Sequence, residues 1–135
     1  MADPITLEVV TPERQLLRTR VSMVVAPGAL GEFGVLPGHV PLMTLLGTGI
    51  LSYRSAEGVG ALVVSEGYAE VADDQVTVLA EHADLASEVD LAQAREDIRA
   101  LEEQLKAHTV VDDEFRRMQA ELGRSTSKIT LASRR

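Results

Sequence analysis

The sequence predicts a mainly β member of the α+β class, with an N-terminal β-sandwich followed by a C-terminal antiparallel hairpin of two helices. Three observations carry this expectation. Apolar residues between residue 5 and about residue 81 are spaced as in strands, in alternation or in short β-branched runs, they recur every third or fourth position after Ser87, and the second pattern is interrupted once, at His108 to Val111. Period two places alternate side chains on the two faces of a strand, whereas steps of three and four line one face of a helix. The change of period divides the chain into residues 1–86 and 87–135.

Taken in order, Ile5, Leu7 and Val9 alternate with Thr6 and Glu8, and Val21, Met23 and Val25 repeat the pattern. Four short, partly β-branched runs follow: Ile50 to Tyr53, Ala61 to Ser65, Tyr68 to Ala72 and Val76 to Ala80. Glu57-Gly58 and Asp73-Asp74 read as hairpin turns, because Gly and Asp accept the left-handed or self-bonded backbone that tight turns require. Many short strands separated by turn signals suggest a sandwich or a flattened barrel.

Leu91, Ala94, Ile98, Leu101 and Leu105 step by 3, 4, 3 and 4 and form one helical stripe, with charged residues elsewhere, so a helix is expected from about 90 to 107. Ser87 or Asp90 can accept its first free N–H groups. A second helix starts at Asp112 or Asp113, with Phe115, Met118 and Leu122 on its apolar side. Gly123 costs about 1 kcal/mol relative to Ala, and Ser125-Thr126-Ser127 adds weak helix formers, so this helix needs a docking surface.

The 135 residues are 45% hydrophobic and 25% charged, enough apolar material for a core and a soluble surface. Absence of Cys removes disulfides and thiolate chemistry. A net charge of -8 and an aromatic content of 3% argue against nucleic acid, which attracts basic surfaces and stacking rings. Charge is unevenly spread. Residues 1–86 carry 11 acids and 4 bases, whereas residues 116–135 carry one acid, Glu121, and six bases: Arg116, Arg117, Arg124, Lys128, Arg134 and Arg135. The basic tail solvates a helix face or pairs with an acidic partner surface. No stretch is long and apolar enough to span a bilayer, and MADPITLEVV has neither part of a secretory signal, so a cytoplasmic location is expected.

Catalytic signatures are missing. Gly28, Gly31 and Gly34 are spaced by three and precede another strand-like segment, so they suit a glycine-permitted loop in a β domain better than a dinucleotide cradle. His39, His82 and His108 lack metal-ligand spacing, and His39, held between Pro37 and Pro41, reads as a hydrogen-bonded loop residue. The acidic pairs Asp73-Asp74, Glu102-Glu103 and Asp112-Asp113 read as a turn, a solvated face and a helix start. No metal is expected.

The segment GEFGVLPGHVPL, residues 31–42, resembles the GxxGxxPGHxPL signature of the epsilon subunit of F-type ATP synthases. The resemblance continues through Gly47-Thr48-Gly49, SEGYAEV at 65–71 and VTVLAE at 76–81 into the two-helix end, covering approximately residues 5–122. It implies a β-sandwich with a C-terminal helical hairpin, in a non-catalytic rotor-stalk subunit that couples proton flow to ATP synthesis. The implied partners are the gamma subunit and the c-ring, and the alpha and beta catalytic subunits when the hairpin extends to inhibit hydrolysis. The implied place is peripheral, on the cytoplasmic face of the bacterial inner membrane.

By that resemblance, Gly31, Glu32, Phe33, Gly34 and Val35, with His39 nearby, form the rotor interface, and Arg116, Arg117, Arg124 and Lys128 form an inhibitory basic face. Some relatives bind ATP on the folded hairpin through a motif of a hydrophobe, Asp, two free positions, Arg and Ala. Here, after Val89, Asp90 and Ala94 are kept, but Gln93 replaces the arginine. Loss of a charged phosphate contact costs about 1.5–3 kcal/mol, a factor of roughly 10–150 in affinity. Any nucleotide site at Asp90, Ala94, Arg124 and Lys128 is accordingly weakened, and no cofactor is expected. The competing class is a freestanding β-sandwich adaptor or ligand-binding module that dimerises through its hairpin.

Overall fold

A computed structural model describes residues 3–133. Its eight strands are β1 (Ile5–Val10), β2 (Gln15–Val21), β3 (Met23–Gly28), β4 (Gly31–Val35), β5 (Leu42–Leu45), β6 (Gly49–Ser55), β7 (Gly58–Ala72) and β8 (Gln75–Leu85). A single 3-10 turn, Ala86–Glu88, leads to α1 (Leu91–Ala107) and α2 (Asp113–Ser133). The β-then-hairpin architecture expected from the change of period is therefore present.

Hydrogen bonding runs in the order β2-β1-β8-β7-β6-β3-β4, with β5 paired to β7 off this path. One continuous sheet becomes a sandwich because β7 serves both layers. Its first half, Gly58 to Val64, pairs with β6, and its second half, Tyr68 to Val71, pairs with β5. On its other edge β8 runs antiparallel along both halves, and β8 then pairs in parallel with β1. Ile5, Leu7, Val9, Leu51, Leu62, Val64, Val76 and Val78 fill the space between the layers with at most traces of exposure. This is the alternation expected of half-buried antiparallel strands.

Three sequence expectations are corrected. Ala61 to Ser65 and Tyr68 to Ala72 belong to one 15-residue strand, bent at Glu66 (φ 62°) and Gly67 (φ 107°), because the ladder to β8 continues through the bend. Val21 and Met23 lie in different strands, separated at Ser22, whose amide and hydroxyl both donate to the Arg54 carbonyl. The inward residues of β3 are consequently Val24 and Ala26, not Met23 and Val25. Strands β2, β4 and β5, which carry no clean alternation, lie outside the expected set. The two aspartates of the β7–β8 turn do adopt the left-handed backbone anticipated for them, at φ 52° and 58°.

Helix α1 begins where the expected stripe begins. Asp90, rather than Ser87, is the cap, its carboxylate accepting the Gln93 amide at 3.0 Å, and Ala94 and Leu101 are its buried residues. Helix α2 continues well past Gly123. Thr126, Thr130 and Ser133 donate their hydroxyls to carbonyls four residues earlier, so these three side chains are satisfied on their own helix. The expected docking surface exists: α2 packs on β6 and β7, and α1 packs on α2. Val63 and Ser65, on the outer face of β7, are fully covered, and the Ser65 hydroxyl lies 2.6 Å from that of Thr48. Neither helix is long and apolar enough to cross a membrane.

Candidate functional site

The β3–β4 hairpin closes through Ala29 and Leu30, with Gly28 paired to Gly31. Leu30 is fully exposed at the tip. Of the residues expected at an interface, Gly31, Glu32 and Gly34 are exposed, Phe33 is half-buried against the core, and Val35 belongs to the core itself. This segment can therefore offer a partner only one side of the hairpin. His39 sits in the following turn, half-buried, its Nδ1 2.6 Å from the Val40 carbonyl, so it is a hydrogen-bonded loop residue as expected. The loop is anchored by Asp74, whose carboxylate accepts the Gly38 amide at 2.7 Å.

A feature that the sequence pattern does not announce lies beside this hairpin. Met43 and Leu45, the outward residues of β5, are 63% and 66% exposed, and Tyr68 stands opposite Leu45 on β7. The Ala29 amide donates to the Leu45 carbonyl and the Gly47 amide to the Pro27 carbonyl, so the hairpin tip and β5 form one surface. Leu30, Met43, Leu45 and Tyr68 make it apolar, and Leu36 and Val40, in the segment between β4 and β5, are exposed as well. Contiguous apolar surface on a folded chain marks an interaction site. The one available signal is the run Pro-Leu-Met-Thr-Leu-Leu at 41–46, with too many apolar residues for a strand that has one wet face.

The helical pair carries the remaining expected residues. Residues 117, 124 and 128 fall on one stripe by helical periodicity, with Arg116 beside it. Arg116 pairs with Asp113 at 3.2 Å, and both Arg116 and Arg117 are exposed. Arg124 and Lys128 are half-buried in a cleft against β8, where the Lys128 ammonium is 3.6 Å from the Asp84 carboxylate. Arg134 and Arg135 lie outside the described residues. Asp90 spends its carboxylate on the α1 cap, Ala94 is buried, and the Gln93 side-chain amide donates to Asp97 at 2.8 Å.

At the hairpin turn, a ring nitrogen of His108 and a carboxylate oxygen each of Asp112 and Glu114 lie within 4.8 Å of one another. Capping accounts for Asp112: its Oδ1 accepts the Phe115 amide at 2.9 Å and faces His108 Nε2 at 2.8 Å. The Phe115 amide first, and His108 second, hold the Asp112 carboxyl below the ordinary aspartate value of 3.8. A depressed folded pKa gives stability that is present above the unfolded value and lost as pH falls through the folded one. Asp112→Ala should therefore reduce helicity near neutral pH, measured by circular dichroism, and the difference from the unaltered chain should disappear well below pH 3.8.

Comparison with known proteins places the chain in a family. Residues 4–86 match the family described as ATP synthase, Delta/Epsilon chain, beta-sandwich domain. The chain is 46% identical over 134 residues to ATP synthase epsilon chain 2 of Syntrophotalea carbinolica, covering 99% of this chain and 97% of that one. The chain belongs to the ATP synthase epsilon chain family. It is a non-catalytic component of an ATP synthase, which sets aside the freestanding adaptor. The epsilon chain of Geotalea daltonii is 42% identical, with the same 99% and 97% coverage. Among solved structures, a chain of the Euglena gracilis mitochondrial ATP synthase (OSCP/F1/c-ring, rotational state 1) shares the fold at a TM-score of 0.78 and 22% identity, covering 100% of this epsilon chain and 83% of that chain.

Proposed function

We propose that this epsilon chain couples rotation of a proton-driven c-ring to the catalytic head, seated on the gamma subunit and the ring at the cytoplasmic face of the bacterial inner membrane. On this reading the Leu30–Glu32 tip and the Met43, Leu45 and Tyr68 strip face those rotor partners. Residues 87–135 form a regulatory unit that leaves the sandwich and inhibits ATP hydrolysis by pairing its arginines and Lys128 with the acidic surface of the alpha and beta subunits.

The observation that carries the inhibitory role is the half-covered basic stripe. While the hairpin is folded, Arg124 and Lys128 are turned to β8 and only Arg116 and Arg117 face solvent. Undocking would present all four cations together, and clustered arginines make strong charge-assisted bonds to carboxylates. A regulatory nucleotide site at Asp90, Ala94, Arg124 and Lys128 has little support, because Asp90 and Lys128 already have partners within the chain.

Removal of residues 112–135 from the assembled complex should raise its ATPase rate and leave its subunit composition unchanged. A hydrolysis rate equal to that of the intact complex over a range of ATP concentrations would sink the inhibitory role and keep the coupling one.

A further inference from the structure

The cleft between β8 and α2 is lined by Arg14, Asp84, Arg124 and Lys128, and Glu88 lies against Arg14. Arg14, in the β1–β2 turn, grips Glu88 with both guanidinium nitrogens, at 2.8 and 2.7 Å, across 74 residues of sequence. Glu88 also accepts the Leu85 amide at 3.1 Å. The Ala86–Glu88 turn is thus fastened to the sandwich by a planar two-bond contact, the most directional ion pair that side chains form.

Immediately afterwards the fastening ends. Val89 and Asp90 are extended, and their hydrogen bonds among the described residues stay local: the Val89 amide to Ala86, and the Asp90 carbonyl and carboxylate to the first turn of α1. The helical pair beyond them makes no hydrogen bond to the sandwich among the described residues. The hydroxyls of Thr126, Thr130 and Ser133 bond within α2, the pairs Arg99–Glu96 and Arg116–Asp113 stay within the hairpin, and among the described residues Lys128 to Asp84 is the one polar link to the sheet. Beneath α2 the Thr48 and Ser65 hydroxyls satisfy each other. Separation of these surfaces would therefore strand no buried polar group, the usual penalty for opening a packed seam.

From this arrangement we infer that the hairpin pivots at Val89–Asp90, that the Arg14–Glu88 clamp holds the preceding turn on the sandwich in both positions, and that Lys128–Asp84 is the latch keeping the hairpin down. The inference rests on the proposed release of the hairpin. It also assigns the cleft a role as an internal fastening. Its cations Arg14, Arg124 and Lys128 are matched there by Glu13, Glu81 and Asp84, so no excess positive charge is left to attract an anion.

Amide exchange followed by mass spectrometry on the full chain tests the device. Asp84→Ala and Lys128→Ala should each speed exchange of the α2 amides from Leu122 to Leu131 by about two- to fivefold, the size expected of a partly exposed ion pair. The swapped double variant, Asp84→Lys with Lys128→Asp, should return toward the original rate, and about 1 M salt should remove the difference between variants. Glu88→Gln should instead speed exchange from Leu85 to Val89 and leave α2 unchanged, with the β8 amides Val76 to Ala80 as the control for global folding. Unchanged α2 exchange in both latch variants, or opening of α2 by Glu88→Gln to the same extent, would overturn the assignment. Faster exchange in the latch variants with no change in ATPase rate of the assembled complex would uphold the latch and remove the inhibitory role.

Discussion

Gly67→Ala should lower the melting temperature of the chain by about 10–20 °C. The residue sits at the bend of β7 with φ 107°, a backbone region that a Cβ disfavours by about 1–2 kcal/mol. A Cβ placed there would lie 1.9 Å from the Leu79 carbonyl oxygen and 3.0 Å from its carbon, both main-chain atoms of the neighbouring strand. Main chain held in a ladder cannot swing aside as a side chain can, so overpacking adds about 1–3 kcal/mol. The sum is roughly 2–5 kcal/mol against a typical stability of about 5–15 kcal/mol.

The consequence reaches the surface proposed to face the rotor. The Gly67 carbonyl accepts the Leu46 amide at 3.0 Å, which holds the end of β5, and β5 carries Met43 and Leu45. The variant is therefore expected to lose its place in the complex as well as its stability. Gly34→Ala is the matched control, because β4 leaves 3.9 Å to the nearest atom, ordinary contact distance, and it should melt near the unaltered chain. Equal melting temperatures for Gly67→Ala and the unaltered chain, by calorimetry, would show that the bend has other ways to relax.

What can be read from the sequence follows from how local each determinant is. Helix α1 is legible because its stripe and its Asp90 cap are within one another's reach, and the Asp73-Asp74 turn because its backbone demand is met by those two residues alone. Glu66-Gly67 looks like a break between strands for the same local reason. Its hydrogen bonds, however, are supplied by β8, and the pairing partner decides that the chain bends without reversing.

The candidate site is less legible. The family resemblance singles out segment 31–35 as a block, yet Val35 turns into the core while Met43 and Leu45 turn outward, a distinction set by strand register. The clamp between Arg14 and Glu88 joins positions that nothing in the linear sequence connects. Arg124 and Lys128 read as free cations because Asp84 lies on another element, and only the docking of α2 brings the pair together.

Gly123→Leu sets two physical effects against each other, and the structure decides the sign. By propensity alone the change favours helix α2 by about 1 kcal/mol, so a sequence-based argument predicts a more stable hairpin. Position 123, however, faces Thr48. A Cβ there already stands 3.2 Å from the Thr48 methyl carbon, and leucine must place three further carbons beyond it. Thr48 is poorly able to yield, since its hydroxyl is 2.6 Å from that of Ser65, a residue with no exposure at all. Overpacking of about 1–3 kcal/mol shifts the docking equilibrium toward the released form by a factor of roughly 5–150, while α2 stays helical. If the released hairpin inhibits hydrolysis, the assembled complex carrying Gly123→Leu should hydrolyse ATP more slowly, and trypsin should cut more readily after Arg124 and Lys128. Gly123→Ala adds only the tight Cβ contact to the same gain in propensity and should fall between the two. Unchanged hydrolysis with faster cleavage would leave the seam as described and remove inhibition from the hairpin, whereas unchanged cleavage would mean that Thr48 does not set how closely α2 approaches the sheet.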